Sequence, residues 1–438
     1  MFLRSGGQHG ESEAGNEDTM VIRQVFTPIL IAASLVLLIS FAIRASFGVF
    51  QIPIANDLGW FRTEFSLAIA IQNLSWGIAT PFFGAFAEKL GDRKAIFVGV
   101  LIYALGLALS SIATTASGHQ MLEILVGVGI AGTGFGVVLG VVGRASSDQH
   151  RSLALGITTA AGSAGQIIGP PLTQYLLHSM AWQDVFLFYS GLVLLALLSL
   201  PFLKAPPKVS KSELEESLSR ILNIAVRDPS YILIFVGFFS CGFQLAFITA
   251  HFPAFVTEAC ATIDPNGLLA KMGVRDTADL GAFSIAVIGV FNIFGTITAG
   301  ALGGRYPKRL LLAGIYMART VLFSWFILTP MTPVTVLIFS SLIGSLWLAT
   351  VPLTSGLVAY IYGLKYMGTL YGLVFLSHQV GSFVGVWLGG DFYDRFGSYD
   401  VVWWVGVATG LLSAVVHLPV REMPINDRLA TTQPHHSG

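Results

Sequence analysis

Apolar residues run along this chain in long blocks, and polar residues gather in the short gaps between them. A helix that crosses a bilayer needs about 20 mostly apolar residues. By that measure the pattern predicts twelve spans, at 25–54, 65–87, 95–116, 121–143, 152–177, 185–203, 231–256, 280–302, 310–328, 334–361, 366–390 and 401–418. The expected fold class is an all-α membrane protein. An even number of spans puts both chain ends on one side of the membrane.

The positive charges say which side. With these spans, 18 of the 24 Lys and Arg fall in the tails and in loops on the side of the termini. Four (Arg62, Lys271, Arg275 and Arg395) fall on the other side, and Arg44 and Arg319 lie inside spans. Cytoplasmic loops collect Lys and Arg, so both termini are expected in the cytoplasm of a bacterial-type inner membrane. Composition agrees: 54% of the 438 residues are hydrophobic and 11% charged, against about 25% charged in soluble domains. The net charge of zero leaves no footprint for nucleic acid. Two cysteines, Cys241 and Cys260, are too few for a disulfide framework. No metal cluster, nucleotide loop or nucleophile constellation is visible, so neither cofactor nor enzyme activity is expected. The first 20 residues are polar with both signs of charge; they read as a disordered tail, with Met20 an alternative start.

The chain divides in the middle. Residues 1–24 form a tail, 25–203 a first six-helix bundle, 204–230 a linker, 231–419 a second bundle and 420–438 a second tail. In the linker, Leu214, Leu218, Ile221, Leu222 and Ala225 share one helical face, and Ser210 and Glu213 have capping-box spacing. This predicts a helix lying along the cytoplasmic membrane surface. The halves echo each other: GAFAEKLGDRK (Gly84–Lys94) follows span two, and GALGGRYPKRL (Gly300–Leu310) follows span eight, 216 residues later. Duplicated halves are the architecture of many secondary transporters.

GAFAEKLGDRK resembles the loop signature of the major facilitator superfamily, matching it at Gly84, Glu88, Lys89, Gly91, Arg93 and Lys94. The second copy is degenerate, with Gly304 in place of the acid and Pro307 in place of the glycine. The resemblance implies two pseudo-symmetric six-helix bundles and a gating role for these six residues. Gly84 would permit close helix contact. Glu88 would face the N-terminal end of span eleven near Tyr366, and Arg93 and Lys94 would pair with acids such as Asp148.

RSLALGITTAAGSAGQIIGPPLTQYLL (Arg151–Leu177) looks like the fifth helix of the monocarboxylate transporter family. GWFRTEFSLAIAIQNLSWGI (Gly59–Ile78), CGFQLAFITAHFPAF (Cys241–Phe255) and FLSHQVGSFVGVWLGG (Phe375–Gly390) are similar to its bacterial members. That group mostly moves small carboxylates, often with a proton. Asn292 fits an asparagine of span eight that binds substrate carboxylate in some bacterial members. The arginine expected one turn later is Thr296 here, which counts against lactate.

Chemistry inside the membrane centres on Arg44. An uncompensated arginine at mid-bilayer costs about 2.5–3.5 kcal/mol or more, and by this span assignment no acid lies deep in a span. Glu64, Glu123, Asp391 and Asp394 fall near outer ends. A substrate carboxylate is the partner that best accounts for Arg44, since a guanidinium grips it with two hydrogen bonds. Arg319, on span nine, reads equally as a packing residue or a ligand contact. His251 and His378 are the candidates for proton coupling, since histidine titrates near neutral pH; each also reads as a satisfied buried histidine. Asn292 and Asn73 are further polar groups able to bind substrate or to lock helices.

Together these features predict a proton-coupled importer of a small organic monocarboxylate, monomeric and working by alternating access. Arg44, Asn292, His251, Arg319 and Asn73 are the expected substrate site. The rivals are an exporter of a hydrophobic drug or metabolite, and a sensor that binds ligand without moving it.

Overall fold

The computed structural model describes residues 26–147, 151–203, 220–363 and 367–432. Twelve long helices account for most of them. The first six are α1 Pro28–Leu58, α2 Arg62–Leu90, α3 Asp92–Ser110, α4 Ala116–Ala145, α5 Arg151–Leu177 and α6 Trp182–Phe202. The second six are α7 Pro229–Ala259, α8 Thr277–Gly303, α9 Lys308–Leu328, α10 Pro333–Tyr362, α11 Met367–Phe396 and α12 Asp400–His417. Ten of them are by themselves long and apolar enough to cross a membrane; α2 and α5 complete the set. The chain is a multi-pass membrane protein.

Several starts are written in the sequence as a capping side chain followed by proline or a free amide. Thr27 Oγ1 accepts from the Leu30 amide before α1, with Pro28 in the first turn. Asp228 does the same for the Ser230 amide before α7, with Pro229 following. Thr332 caps α10 ahead of Pro333. These side chains satisfy amides that a helix start leaves open, and proline gives up a donor that had no partner there.

The two halves repeat one packing scheme. In the first, α1 packs on α5, α2 on α4 and α3 on α6; in the second, α7 packs on α11, α8 on α10 and α9 on α12. The halves meet mainly through α2 against α11 and α5 against α8. The centre of α1 also meets α7. There α1 tightens into a 3-10 turn at Phe47–Phe50, and a Cβ on Gly48 would stand 2.1 Å from the Thr249 carbonyl oxygen. Only a glycine allows that approach.

Two helices are interrupted. Gly134 is extended and divides α4. α10 breaks between Leu346 and Thr350. One expectation about span four is corrected: α4 begins at Ala116, five residues before the apolar run, because Thr115 Oγ1 accepts the Gly118 amide and starts the helix on polar residues. Glu123 therefore lies in the third turn and is fully buried. In the linker, residues 220–225 are helical; residues 204–219, with the Ser210–Glu213 capping box, lie outside the described residues.

Candidate functional site

Arg44 sits one turn before the 3-10 segment of α1 and faces a small cavity between the halves. The space is about 10 Å³, enough for one water. Gln72 and Asn73 of α2 line it on one side, and Ala246, Thr249 and Ala250 of α7 on the other. Arg44 Nη2 donates to Asn73 Oδ1 at 3.2 Å, and Asn73 is held in turn by donating to the Ile69 carbonyl at 2.9 Å. The guanidinium stands 4.9 Å from the Trp76 ring centre and 5.8 Å from that of Phe41. Its Nε is buried without a partner. Among the described residues no carboxylate forms an ion pair with Arg44. An amide oxygen and two aromatic faces offset the cation in part, and the fork keeps donors free for an anion.

Asn292 and Arg319, both expected at the ligand, meet instead at the break in α10. Asn292 Oδ1 accepts the Leu348 amide at 2.9 Å and the Thr296 hydroxyl at 2.9 Å, while Nδ2 donates to Ser163 Oγ of α5 at 2.9 Å. Arg319 donates to the Leu346 carbonyl at 2.5 Å and to that of Trp347. A broken helix leaves backbone groups unpaired, which in lipid must be satisfied by neighbouring side chains. Arg319 is fully buried and does not line the Arg44 cavity.

His251 of α7 is fully buried, with both ring nitrogens engaged. Nε2 lies 2.8 Å from the Val386 carbonyl of α11, and Nδ1 lies 3.2 Å from Gln51 Nε2 of α1. Those partners fit a neutral ring that donates from Nε2 and accepts at Nδ1. His378 of α11 stacks on Phe375, and its Nδ1 is 3.2 Å from Gln379 Oε1. Neither histidine lines the Arg44 cavity.

The face opposite the termini carries a clasp that the sequence did not disclose. Arg62 at the start of α2 pairs with Glu258 of α7, donates to the Tyr399 hydroxyl at 2.8 Å, and lies 3.8 Å from the Tyr393 ring centre. Asp394 of α11 accepts the Arg62 and Thr63 amides at 3.2 and 2.7 Å, capping α2 from across the divide. His178, just past the end of α5, reaches Asp279 of α8 at 3.2 Å. The one available signal was that Arg62 is among very few cations on that face.

The signature loop at the other face differs from expectation. Among the described residues a Cβ on Gly84 would meet nothing within 4 Å, so this glycine makes no close contact with any of their helices. Gly91 has φ +101° and forms the turn between α2 and α3, a backbone that favours glycine. Arg93 donates to the Leu203 carbonyl at 3.2 Å and to that of Pro201, both within its own half. Lys94 is exposed. Asp92 pairs with Arg144 of α4. Asp148, Tyr366 and the side chains of Glu88 and Lys89 lie outside what the structure describes.

Known proteins resolve the class. A family profile described as Major Facilitator Superfamily matches residues 33–386. The chain belongs to the major facilitator superfamily. Members related to it are transporters rather than enzymes. It is 26% identical over 409 residues to the "uncharacterized MFS-type transporter YcxA" of Bacillus subtilis, covering 90% of this chain and 94% of that one. Monocarboxylate transporter 13 of Rattus norvegicus is 26% identical over 379 residues, 82% of this chain and 80% of the relative. The methyl viologen resistance protein SmvA of Salmonella typhimurium is 25% identical over 178 residues, 41% and 34% of the two chains. For this superfamily member, the repeated packing of α1–α6 and α7–α12 and a cavity at their junction are the parts a transporter needs.

Proposed function

We propose that this superfamily member carries a small organic monocarboxylate together with a proton, into the cell, by alternating access. The observation that supports it is Arg44, a cation facing the cavity between the halves without an acidic partner among the described residues. A carboxylate supplies the missing charge and can take both donors of the guanidinium fork. Asn73 orients the fork and is itself within reach of the cavity. Asn292 and Arg319 act through α10, fixing its break beside the site. Loss of the Arg62 clasp would open the face opposite the termini, and the signature loop, with Gly84, Glu88, Lys89, Gly91, Arg93 and Lys94, would govern the other, which we place in the cytoplasm. His251 and His378 remain proton-coupling candidates.

The competing reading is export of a hydrophobic compound, favoured by the partial likeness to the methyl viologen resistance protein. A cation in the cavity with no acidic partner among the described residues disfavours a cationic cargo. Proteoliposome uptake across a panel of radiolabelled monocarboxylates, with and without an inward proton gradient, separates the two. Gradient-stimulated uptake of one acid supports import. No uptake of any acid by folded protein abandons it.

A further inference from the structure

Glu123 is wholly buried in the third turn of α4, and its carboxyl has three polar neighbours. Gln72 Nε2 of α2 donates to Oε2 at 2.6 Å, and Ser110 Oγ of α3 donates to Oε1 at 3.4 Å. His119 Nε2 stands 3.6 Å from Oε1. That histidine is 1% exposed, and the one polar backbone group beside its ring is that of Ser110 at the end of α3. Its ring is enclosed by Phe65, Trp60 and Phe186. A buried imidazole thus stands beside a buried carboxyl, with Nε2 toward Oε1.

Of the ionisable groups on the surrounding helices, Tyr103 is near enough to feel the charges of Glu123 and Arg44, and none forms an ion pair with Glu123 among the described residues. On α2, Arg62 pairs with Glu258 and the Glu64 carboxylate accepts the Phe61 amide. On α3, Tyr103 points to the Ser40 carbonyl, 3.4 Å away. On α1, Arg44 is bonded to Asn73, and on α6 Tyr189 is bonded to Thr173. No Lys or Arg among the described residues pairs with Glu123. A bare carboxylate in such a place is far less favourable than one that holds a proton or faces a protonated imidazole. The pair has room for one proton, carried on either partner.

The link to the cavity is Gln72, which lines it beside Arg44. We infer that Glu123 and His119 form a proton-binding site which Gln72 couples to anion binding at Arg44. The inference rests on the proposed carboxylate transport. An amide offers donors at nitrogen and lone pairs at oxygen. Facing an ionised Glu123, Gln72 gives it the NH₂ group and leaves its oxygen for the cavity, where it repels an anion. When Glu123 is protonated its O–H donates to the amide oxygen, the amide turns over, and the NH₂ group faces the cavity next to Arg44. Proton and anion then favour each other's binding, and by linkage the effect is reciprocal. Both enter from one side and leave on the other, and only an O–H or N–H bond is made and broken.

The test uses the full chain in proteoliposomes with a trapped pH indicator and the acid found by the uptake panel. Wild-type protein should bring in protons with the acid. In Glu123→Gln, exchange of the acid should remain measurable while proton entry and the pH dependence of exchange disappear. Retained proton entry in that variant overturns the inference and returns the role to His251. If Glu123→Gln fails to fold, Gln72→Leu keeps the carboxyl and should cut proton entry about tenfold; undiminished coupling overturns the link. If wild-type protein moves no carboxylate, the transport reading fails by itself, and infrared spectroscopy still decides the site. A carboxylic-acid C=O band that titrates in wild-type protein and is missing from Glu123→Gln supports it; no such band sinks it.

Discussion

Arg62, in the first turn of α2, pairs with Glu258 in the last turn of α7, so an Arg–Glu ion pair joins the two halves at the face opposite the termini. The same guanidinium lies over the Tyr393 ring and donates to Tyr399. Among the described residues, the polar ties recorded across the divide lie at this face or at mid-depth: Arg62–Glu258, Thr63–Asp394, His178–Asp279, Gln51–His251 and Ser163–Asn292. The arrangement is therefore held shut at that face.

Arg62→Ala should loosen it. The Glu258 side chain is 36% exposed, so the ion pair contributes at most about 1 kcal/mol, and the ring contact adds about 0.5–1 kcal/mol. Spin labels on exposed Phe61 and Phe396 should show a longer distance, or a second longer one, in the variant. An unchanged distribution would mean that helix packing alone closes this face.

Arg44→Ala should abolish carboxylate transport in protein that folds normally. Arg44→Lys should retain part of it, because an ammonium keeps the charge and loses the fork. A charge-assisted hydrogen bond is worth about 1.5–3 kcal/mol, so apparent affinity in the lysine variant should fall roughly 10- to 100-fold. Transport kinetics check this, and wild-type uptake by folded Arg44→Ala would refute the role.

Asn292→Ala should weaken the α10 break. It removes the acceptor for the Leu348 amide and the Thr296 hydroxyl and the donor to Ser163. One buried amide left unpaired costs about 1–3 kcal/mol. Thermal unfolding in detergent should shift to lower temperature. Asn292→Asp, which keeps an acceptor for Leu348, should recover part of the loss.

Gly48→Val should disfavour the close approach of α1 to α7, because even a Cβ at this position meets the Thr249 carbonyl oxygen at 2.1 Å. Cysteine reagents should then reach a cysteine placed at Ala246 faster than in the parent protein. Equal labelling rates would show that α1 and α7 can part without cost.

Span number, the approximate positions of the helices and the superfamily were legible in the chain. In lipid each helix must satisfy its own backbone and turn apolar side chains outward, so the signal is local and sequential. Thr27–Pro28 and Asp228–Pro229 mark helix starts for the same reason. Arg44 was also legible, since one cation in an apolar run is conspicuous without knowing its neighbours.

What the tertiary structure decided was who meets whom. Arg319 and Asn292 looked like ligand contacts, yet they converge on the broken α10, because backbone groups freed at Leu346, Trp347 and Leu348 need partners that sequence spacing does not reveal. Glu123 looked peripheral until the capped, polar start of α4 carried it into the third turn, against Gln72 from a helix 51 positions away. Arg62, Glu258 and Asp394 are three unremarkable loop-edge charges until two bundles bring them together. The helices and the class of machine follow from residues close together in the chain. The pairing of its few buried polar groups depends on how helices far apart in sequence pack, and only the fold sets that.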